Sequence, residues 1–224
     1  MSAKKSAKTK KHILLVDDHP MMRQGLAQLI ALEPDLAVCC EAATAQQALA
    51  AVSVNSPDLV LADISLPDKN GLELIKDLLA LRPGLFVLVI SMHDEGLYAE
   101  RVLRAGGRGY IMKQEGGAKL MEAIRQVLKG QIYVSEKMSA RILEVFSGRR
   151  AETSQSPVEL LSDREFEVFQ LIGQGKGTRE IAGKLNLSIK TVEVHRANVR
   201  KKLKLATGAD VVHYAIRWVE SEKS

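Results

Sequence analysis

Three carboxylates and one ammonium group fall where they could do phosphoryl chemistry together. Asp17 and Asp18 are adjacent in "LLVDDHP", and Asp63 closes the apolar run "LVLAD". Lys113 ends "GYIMK", and Ser91 follows the apolar run "VLVI". Two adjacent carboxylates with a third across a cleft form a hard oxygen site suited to Mg²⁺, which keeps several waters and accepts a phosphate oxygen. Lys113 supplies further positive charge toward a phosphoryl group. Asp63 can then act as nucleophile toward a phosphoryl donor, and the product is an aspartyl phosphate. Singly, each residue also has an ordinary explanation. Asp18 could cap the helix after it, Ser91 could cap "HDEGLYAERVL", and Lys113 could be solvated. Their joint placement makes the chemistry.

The elements that must position them alternate. Short apolar strands are expected at Ile13–Val16, Ala37–Glu41, Leu59–Ala62, Phe86–Ile90 and Gly109–Met112, with helical patterns such as Met21–Ala31 and Leu72–Leu81 between them. This rhythm predicts an α/β doubly wound parallel five-stranded sheet. Ligands of such sheets sit outside the carboxyl ends of the strands. Asp17 and Asp18 follow the first strand, Asp63 the third, Ser91 the fourth and Lys113 the fifth, so all five converge on one rim. A dinucleotide-binding sheet would need glycines after the first strand, where this chain has "DDHPMMRQG". A phosphatase that turns over an aspartyl phosphate would need a second acid two residues after the nucleophile, and that position is Ser65. Asp63 should therefore hold its phosphate as a signal, and the chain is not expected to be a turnover enzyme.

These motifs resemble the flavodoxin-like receiver domain of bacterial two-component response regulators. The resemblance rests on "LLVDDHP", "LVLADISLPDKNGLEL" with Pro67 and Gly71, "VLVISMHDE" and "GYIMKQE", and it spans roughly residues 12–130. It implies that Asp63 accepts phosphate from a sensor histidine kinase. It also implies that Asp17, Asp18, Asp63 and the Ser65 backbone carbonyl hold Mg²⁺, with Ser91 and Lys113 contacting the phosphoryl group. Ser91 and Tyr110 are the switch pair in this reading. Phosphorylation adds about −1.5 to −2 charges and three acceptor oxygens. Pulling Ser91 inward would vacate space behind the fourth strand, into which Tyr110 could rotate.

The second half of the chain changes character. "SEKMSARILEVF" reads as a connecting helix and "SGRRAETSQSPVE" as a joint, after which the periodicity is purely helical. Ser162 with Glu165 three residues on is a capping-box pattern. Thr178 opens the helix "TREIAGKL", and Ser188 opens "IKTVEVHRANVRKKL" after a turn around Asn186. A short helix, a tight turn and a longer basic helix is the layout of a helix-turn-helix. On the last of these, Val192, Val199 and Leu203 share one face and should pack inward. Lys190, Glu193, Val194, Ala197 and Lys201 lie opposite, so Glu193, Val194 and Ala197 could meet bases while Lys190, Arg200 and Lys201 sit toward phosphates. An ordinary solvated helix would show the same wet basic face.

The pattern resembles the LuxR-type helix-turn-helix of NarL/FixJ-class regulators, carried by Leu161, Arg164, Glu165, Val168, Gly175, Glu180, Ile181, Ala182, Leu185, Ser188, Thr191, Val192, His195, Lys202 and Leu203. The resemblance implies that this helix enters promoter DNA, adding Thr191 and Arg196 to the contacting set, and that Glu165 and Glu180 are structural. His195 lacks partner ligands nearby and reads as a packing or phosphate-contacting residue. Apolar positions of "GADVVHYAIRWVE" (Val211, Val212, Ala215 and Trp218 or Val219) would partly cover the small core and could partly pair with a second copy, giving a homodimer when phosphorylated.

Charge divides the chain in the same way. The net charge is +5, but residues 12–146 carry a net −4, while residues 1–11 and everything after 146 are net basic. An acidic first part and a basic second part suit a division of labour with nucleic acid as partner of the second. The expected organisation is a basic tail over residues 1–11, a receiver over 12–130, a connecting helix and flexible linker over 131–157, and a small all-α domain over 158–224. No segment approaches the roughly 18–20 apolar residues that span a bilayer. The two cysteines, Cys39 and Cys40, are neighbours in "LAVCCEA". Adjacent strand residues point to opposite faces, so a mutual disulfide is not expected, free thiols fit a reducing cytoplasm, and a metal ion would need more ligands. The remaining alternative is a DNA-binding regulator independent of phosphate, whose receiver is only an interaction module.

Overall fold

A computed structural model describes residues 10–146 and 157–221, without the side chains of Val145 and Phe146. The chain forms two compact units, residues 1–135 and 136–224. Most of the basic tail and the stretch 147–156 of the expected linker lie outside the described residues.

The first unit is a five-stranded sheet flanked by helices. Its strands are β1 (Lys11–Val16), β2 (Leu36–Ala42), β3 (Leu59–Ala62), β4 (Phe86–Ser91) and β5 (Gly109–Met112), ordered β2-β1-β3-β4-β5 and parallel throughout. Helices α1 (Pro20–Ala31), α2 (Ala45–Asn55), α3 (Gly71–Leu81), α4 (Glu95–Arg104) and α5 (Gly116–Leu128) make the crossovers. Every residue of β3 is buried, and Val87 to Ser91 of β4 are buried as well, because helices cover both faces of the sheet. The winding reverses between β1 and β3, the crevice where doubly wound sheets hold ligands. Asp17 and Asp63 follow those two strands.

Local chemistry sets the loops around that crevice. Asn70 caps α3 by accepting from Leu72 N–H at 2.7 Å, and Asp68 reaches across to accept from Ala45 and Gln46 N–H at the start of α2. Gly71 is where α3 meets the chain leaving β3. A Cβ there would stand 2.6 Å from Ile64 Cα, so only glycine lets the helix start so near Asp63. Asp94, not Ser91, caps α4, accepting from Gly96 N–H at 2.8 Å. His19 is the residue before α1, whose first position is Pro20, and Asp18 does not cap it.

One strand departs from simple alternation. The pairing of β1 with β2 skips a residue: Ile13 faces Val38 and Leu14 faces Cys40, leaving Cys39 as a bulge on the sheet edge. The two thiols therefore do not diverge. Their sulfurs lie 3.0 Å apart.

The second unit is helical: α6 (Glu136–Phe146), α7 (Asp163–Gly173), α8 (Thr178–Lys184), α9 (Ile189–Lys202) and α10 (Gly208–Ser221). Its contacts group α6, the expected connecting helix, with this unit, and Arg141 of α6 pairs with Glu159 at 2.5 Å. The small core is Phe166, Phe169, Ile181, Val192, Val199, Val211 and Ala215, all buried. Trp218 packs on it, 5.5 Å between ring centroids from both Phe166 and Phe169.

Candidate functional site

The rim of the receiver sheet carries a compact charged cluster. Ligand atoms of Asp17, Asp18, His19 and Asp63 all lie within 4.8 Å of one another. Lys113 bridges two of the carboxylates, with Nζ at 2.6 Å from Asp17 Oδ2 and 2.7 Å from Asp63 Oδ2. All three side chains are nearly sealed from solvent, Lys113 at 4%, Asp17 at 1% and Asp63 at 5% exposure. Buried charges of this kind persist only when paired and hydrogen-bonded. Asp17 is held further by His19, whose N–H donates to Oδ1 at 2.8 Å, and by Arg23, which donates to the Asp17 carbonyl at 2.5 Å. Asp63 accepts from Ser65 N–H at 3.2 Å.

The cluster sets the protonation of its members. Burial is the largest influence on Asp63 and pushes its carboxyl above the usual range, against the opposing pull of Lys113 and Ser65 N–H. Burial works the other way on Lys113, but its hydrogen bonds to Asp17 and Asp63 outweigh it and hold the ammonium above its ordinary value.

The donor set fits a hard divalent cation. Three carboxylates converge, and Asp18 Oδ1 is shielded from solvent without a hydrogen-bond partner among the described residues. His19 Nδ1 lies 2.7 Å from it, in a contact that lacks hydrogen-bond geometry. A shielded, unsatisfied carboxylate oxygen beside two more carboxylates is the provision expected of an oxygen-ligand site.

Ser91 and Tyr110 sit on the other side of this rim. Both are fully buried. The Ser91 hydroxyl accepts from His93 N–H at 3.2 Å, and burial pushes the Tyr110 phenol well above its ordinary pKa. Tyr110 donates to the His93 carbonyl at 2.9 Å. The aromatic side chain expected to rotate inward is thus already inside, and the Ser91 hydroxyl is engaged by His93 N–H rather than by Asp63. His93 was not among the residues singled out from sequence. Its ring bridges to Ser65 Oγ at 2.9 Å and packs 5.1 Å from Tyr98, and burial lowers its pKa. Nothing in "SMHDE" signals this role, because it depends on the loop after β3 reaching the loop after β4.

The second unit carries a helix-turn-helix. Asn186 takes the left-handed φ of 51° in the turn between α8 and α9, a conformation Asn tolerates better than most residues. Ser188 caps α9, accepting from Thr191 N–H at 3.0 Å. Val192, Val199 and Leu203 are buried. Lys190, Glu193, Val194, Ala197, Arg200 and Lys201 are exposed, with Thr191 and Arg196 half-buried. His195 is half-buried too, and its Nδ1 has no partner among the described residues.

Three acidic residues hold the unit together. Glu165 closes the capping box by accepting from Ser162 N–H at 2.8 Å and pairs with Lys202 of α9 at 2.7 Å. Arg164 pairs with Glu167 at 2.7 Å and donates to the Leu185 carbonyl at 3.1 Å, tying α7 to the turn. Glu180 accepts from Gly177 N–H at 2.9 Å at the start of α8. Burial favours the neutral form of Glu165, but Lys202 and Ser162 outweigh it and keep the carboxyl below its usual pKa. A lowered folded pKa contributes stability above the unfolded value, about 4.3, that is lost as pH falls through the folded value. Glu165→Gln should therefore cost about 1.5–3 kcal/mol at pH 7, and its deficit relative to wild type should be smaller near pH 3 than at pH 7. Trp218, the single tryptophan, reports this unit's unfolding in urea by fluorescence. An equal deficit at both pH values would contradict the assignment.

Comparison with known proteins agrees with both units. Residues 13–125 match the response regulator receiver domain and residues 159–215 the luxR family of bacterial regulatory proteins. The chain belongs to the two-component response regulators that join a receiver to a LuxR-type helix-turn-helix. It is 34% identical over 209 residues to the oxygen regulatory protein NreC of Staphylococcus carnosus (strain TM300), across 92% of this chain and 96% of the relative. It is similar in structure to RcsB of Salmonella enterica serovar Typhimurium bound to promoter rprA in the presence of phosphomimetic BeF3-. That likeness has a TM-score of 0.70 and 25% identity, over 92% of this chain and 98% of RcsB. A LuxR-family two-component response regulator from Aurantimonas sp. SI85-9A1 is 32% identical with a TM-score of 0.58, over 62% of this chain and 99% of that one. No helix among the described residues is long and apolar enough to cross a membrane.

Proposed function

We propose that the protein is a phosphorylation-activated transcriptional regulator in which Asp63 takes a phosphoryl group from a sensor histidine kinase. The observation that carries this reading is the buried Asp17–Lys113–Asp63 bridge at the sheet's switch point, beside the unsatisfied Asp18 carboxylate. Asp63 is the carboxylate held by Lys113 on one oxygen and by Ser65 N–H on the other. That hold fixes its direction and limits the water that could compete with it. Asp17, Asp18, Asp63 and the Ser65 carbonyl would hold Mg²⁺, which when bound supplies charge neutralisation for the transferred phosphoryl oxygens. Lys113 is already placed to pair with the same charge. Ser65 offers no second acid, so the acyl phosphate persists as a signal.

The switch is read from Ser91. On phosphorylation its hydroxyl leaves the His93 N–H for a phosphoryl oxygen. Tyr110 is already packed inside, so the change falls on the His93, Tyr98 and Tyr110 cluster at the start of α4, in place of an inward swing of Tyr110. The altered receiver surface promotes homodimer formation, and the dimer presents two copies of α9 to the half-sites of a promoter. Lys190, Thr191, Glu193, Val194, Arg196, Ala197, Arg200 and Lys201 form the DNA face, with the basic residues toward phosphates and Glu193, Val194 and Ala197 toward base edges. We place the protein in the cytoplasm, where kinase, Mg²⁺ and promoter meet, with no membrane partner.

Promoter affinity measured at several salt concentrations, with and without acetyl phosphate and Mg²⁺, tests the reading. Phosphorylation should tighten binding at every salt concentration by about 10-fold, a coupling of roughly 1.4 kcal/mol. Equal affinities with the phosphorylated fraction verified would leave the receiver as an interaction module only.

A further inference from the structure

The bulge in β2 builds a site unrelated to the acidic rim. Because Cys39 has no partner in the β1–β2 ladder, its side chain turns to the same side as that of Cys40. The sulfurs come within 3.0 Å, and Cys39 Sγ lies 3.5 Å from the Ile13 carbonyl, which accepts from it. β2 is the edge of the sheet, and both cysteines are half-exposed. They are also the chain's two cysteines. The result is one accessible dithiol whose sulfurs are already side by side.

We propose that Cys39 and Cys40 form a chelating site for a trivalent organoarsenical. Two thiols do not complete the coordination of a metal ion such as Zn²⁺, which takes four ligands. An organoarsenical of the R–As=O class already carries carbon on one position and needs two sulfurs to finish its shell. Each thiol sulfur forms one As–S bond, the As=O bond breaks, and the two thiol protons leave with that oxygen as water. Arsenic stays trivalent, so no oxidant or reductant takes part.

Chelation fits the geometry better than oxidation to a disulfide. An S–S bond would require the sulfurs to close to about 2.05 Å, between adjacent Cα atoms about 3.8 Å apart, below the usual span of bridged cysteines. A chelated centre lies between sulfurs that need not bond to each other. Redox-active thiols are usually acidic, whereas burial and the neighbouring Cys39 push the Cys40 thiol up to about 12.

Native mass spectrometry of the full chain with phenylarsine oxide tests the site. One equivalent should bind, stripped by ethane-1,2-dithiol and retained against an equal concentration of 2-mercaptoethanol. Cys39→Ser and Cys40→Ser should each weaken binding about 100-fold or more, because each leaves a single attachment. The competition between dithiol and monothiol uses unaltered protein and stands even if a variant folds poorly. An adduct kept by either single-cysteine variant, equal stripping by the two thiols, or no adduct on the native chain would overturn the proposal.

Discussion

Asp63→Asn should reduce phosphoryl uptake from acetyl phosphate by at least about 10³-fold, with DNA affinity no longer responding to the donor. The amide fits the same space and can still accept from Lys113, so the rim keeps its shape. An amide oxygen, however, does not attack phosphorus as a carboxylate does. The structure gives this residue no substitute. Asp17 is the other carboxylate held by Lys113, but His19 N–H and Nδ1 crowd its second oxygen at 2.8 and 3.1 Å. Asp18 is partly exposed, and the carboxylates that Lys113 bridges are Asp17 and Asp63. Uptake in Asp63→Asn close to that of wild type would reject the nucleophile assignment.

Lys113→Met should destabilise the receiver by about 3–5 kcal/mol at pH 7, because it leaves two buried carboxylates facing each other without their shared cation. The methylene stem keeps its packing in Met, so the loss reports charge. Adding Asp63→Asn should recover part of the loss by removing one of the stranded charges, a coupling a double-mutant cycle would resolve. The pH dependence has a definite sign. Lys113 has a raised folded pKa, so its contribution is complete below the unfolded lysine value, about 10.4, and disappears as pH rises through the folded one. Calorimetry of the full chain checks the prediction. A loss under about 1 kcal/mol at pH 7 would mean that solvent or another group compensates the carboxylates.

The rim residues were legible in the sequence because a parallel sheet converts position into convergence. Once "HILLV", "LVLA" and "GYIM" read as strands, Asp17, Asp63 and Lys113 had to emerge at one edge. The recognition helix was legible for a similar reason, since Val192, Val199 and Leu203 define its inner face by period alone. What stayed hidden depended on register and on loops meeting through space. Cys39 and Cys40 looked divergent because alternation assumes an unbroken ladder, and the skipped pairing between Ile13 and Leu14 breaks it. His93 carries no motif of its own, and its contact with Ser65 exists only where two strand-end loops meet. The inward Tyr110 was hidden too: its residue type marks a strand aromatic, while the hydrogen bond to the His93 carbonyl selects its orientation. The same holds for Glu165, whose capping role is a three-residue pattern but whose pairing with Lys202 spans 37 positions.

The position of the phosphoryl group decides most directly whether Asp63 is the acceptor. After treatment with acetyl phosphate and Mg²⁺, borohydride reduction converts an aspartyl phosphate to homoserine, and peptide sequencing locates it. Homoserine is expected at position 63 alone. Homoserine at position 17 or 18, or none in a protein that has taken up phosphate, would contradict it.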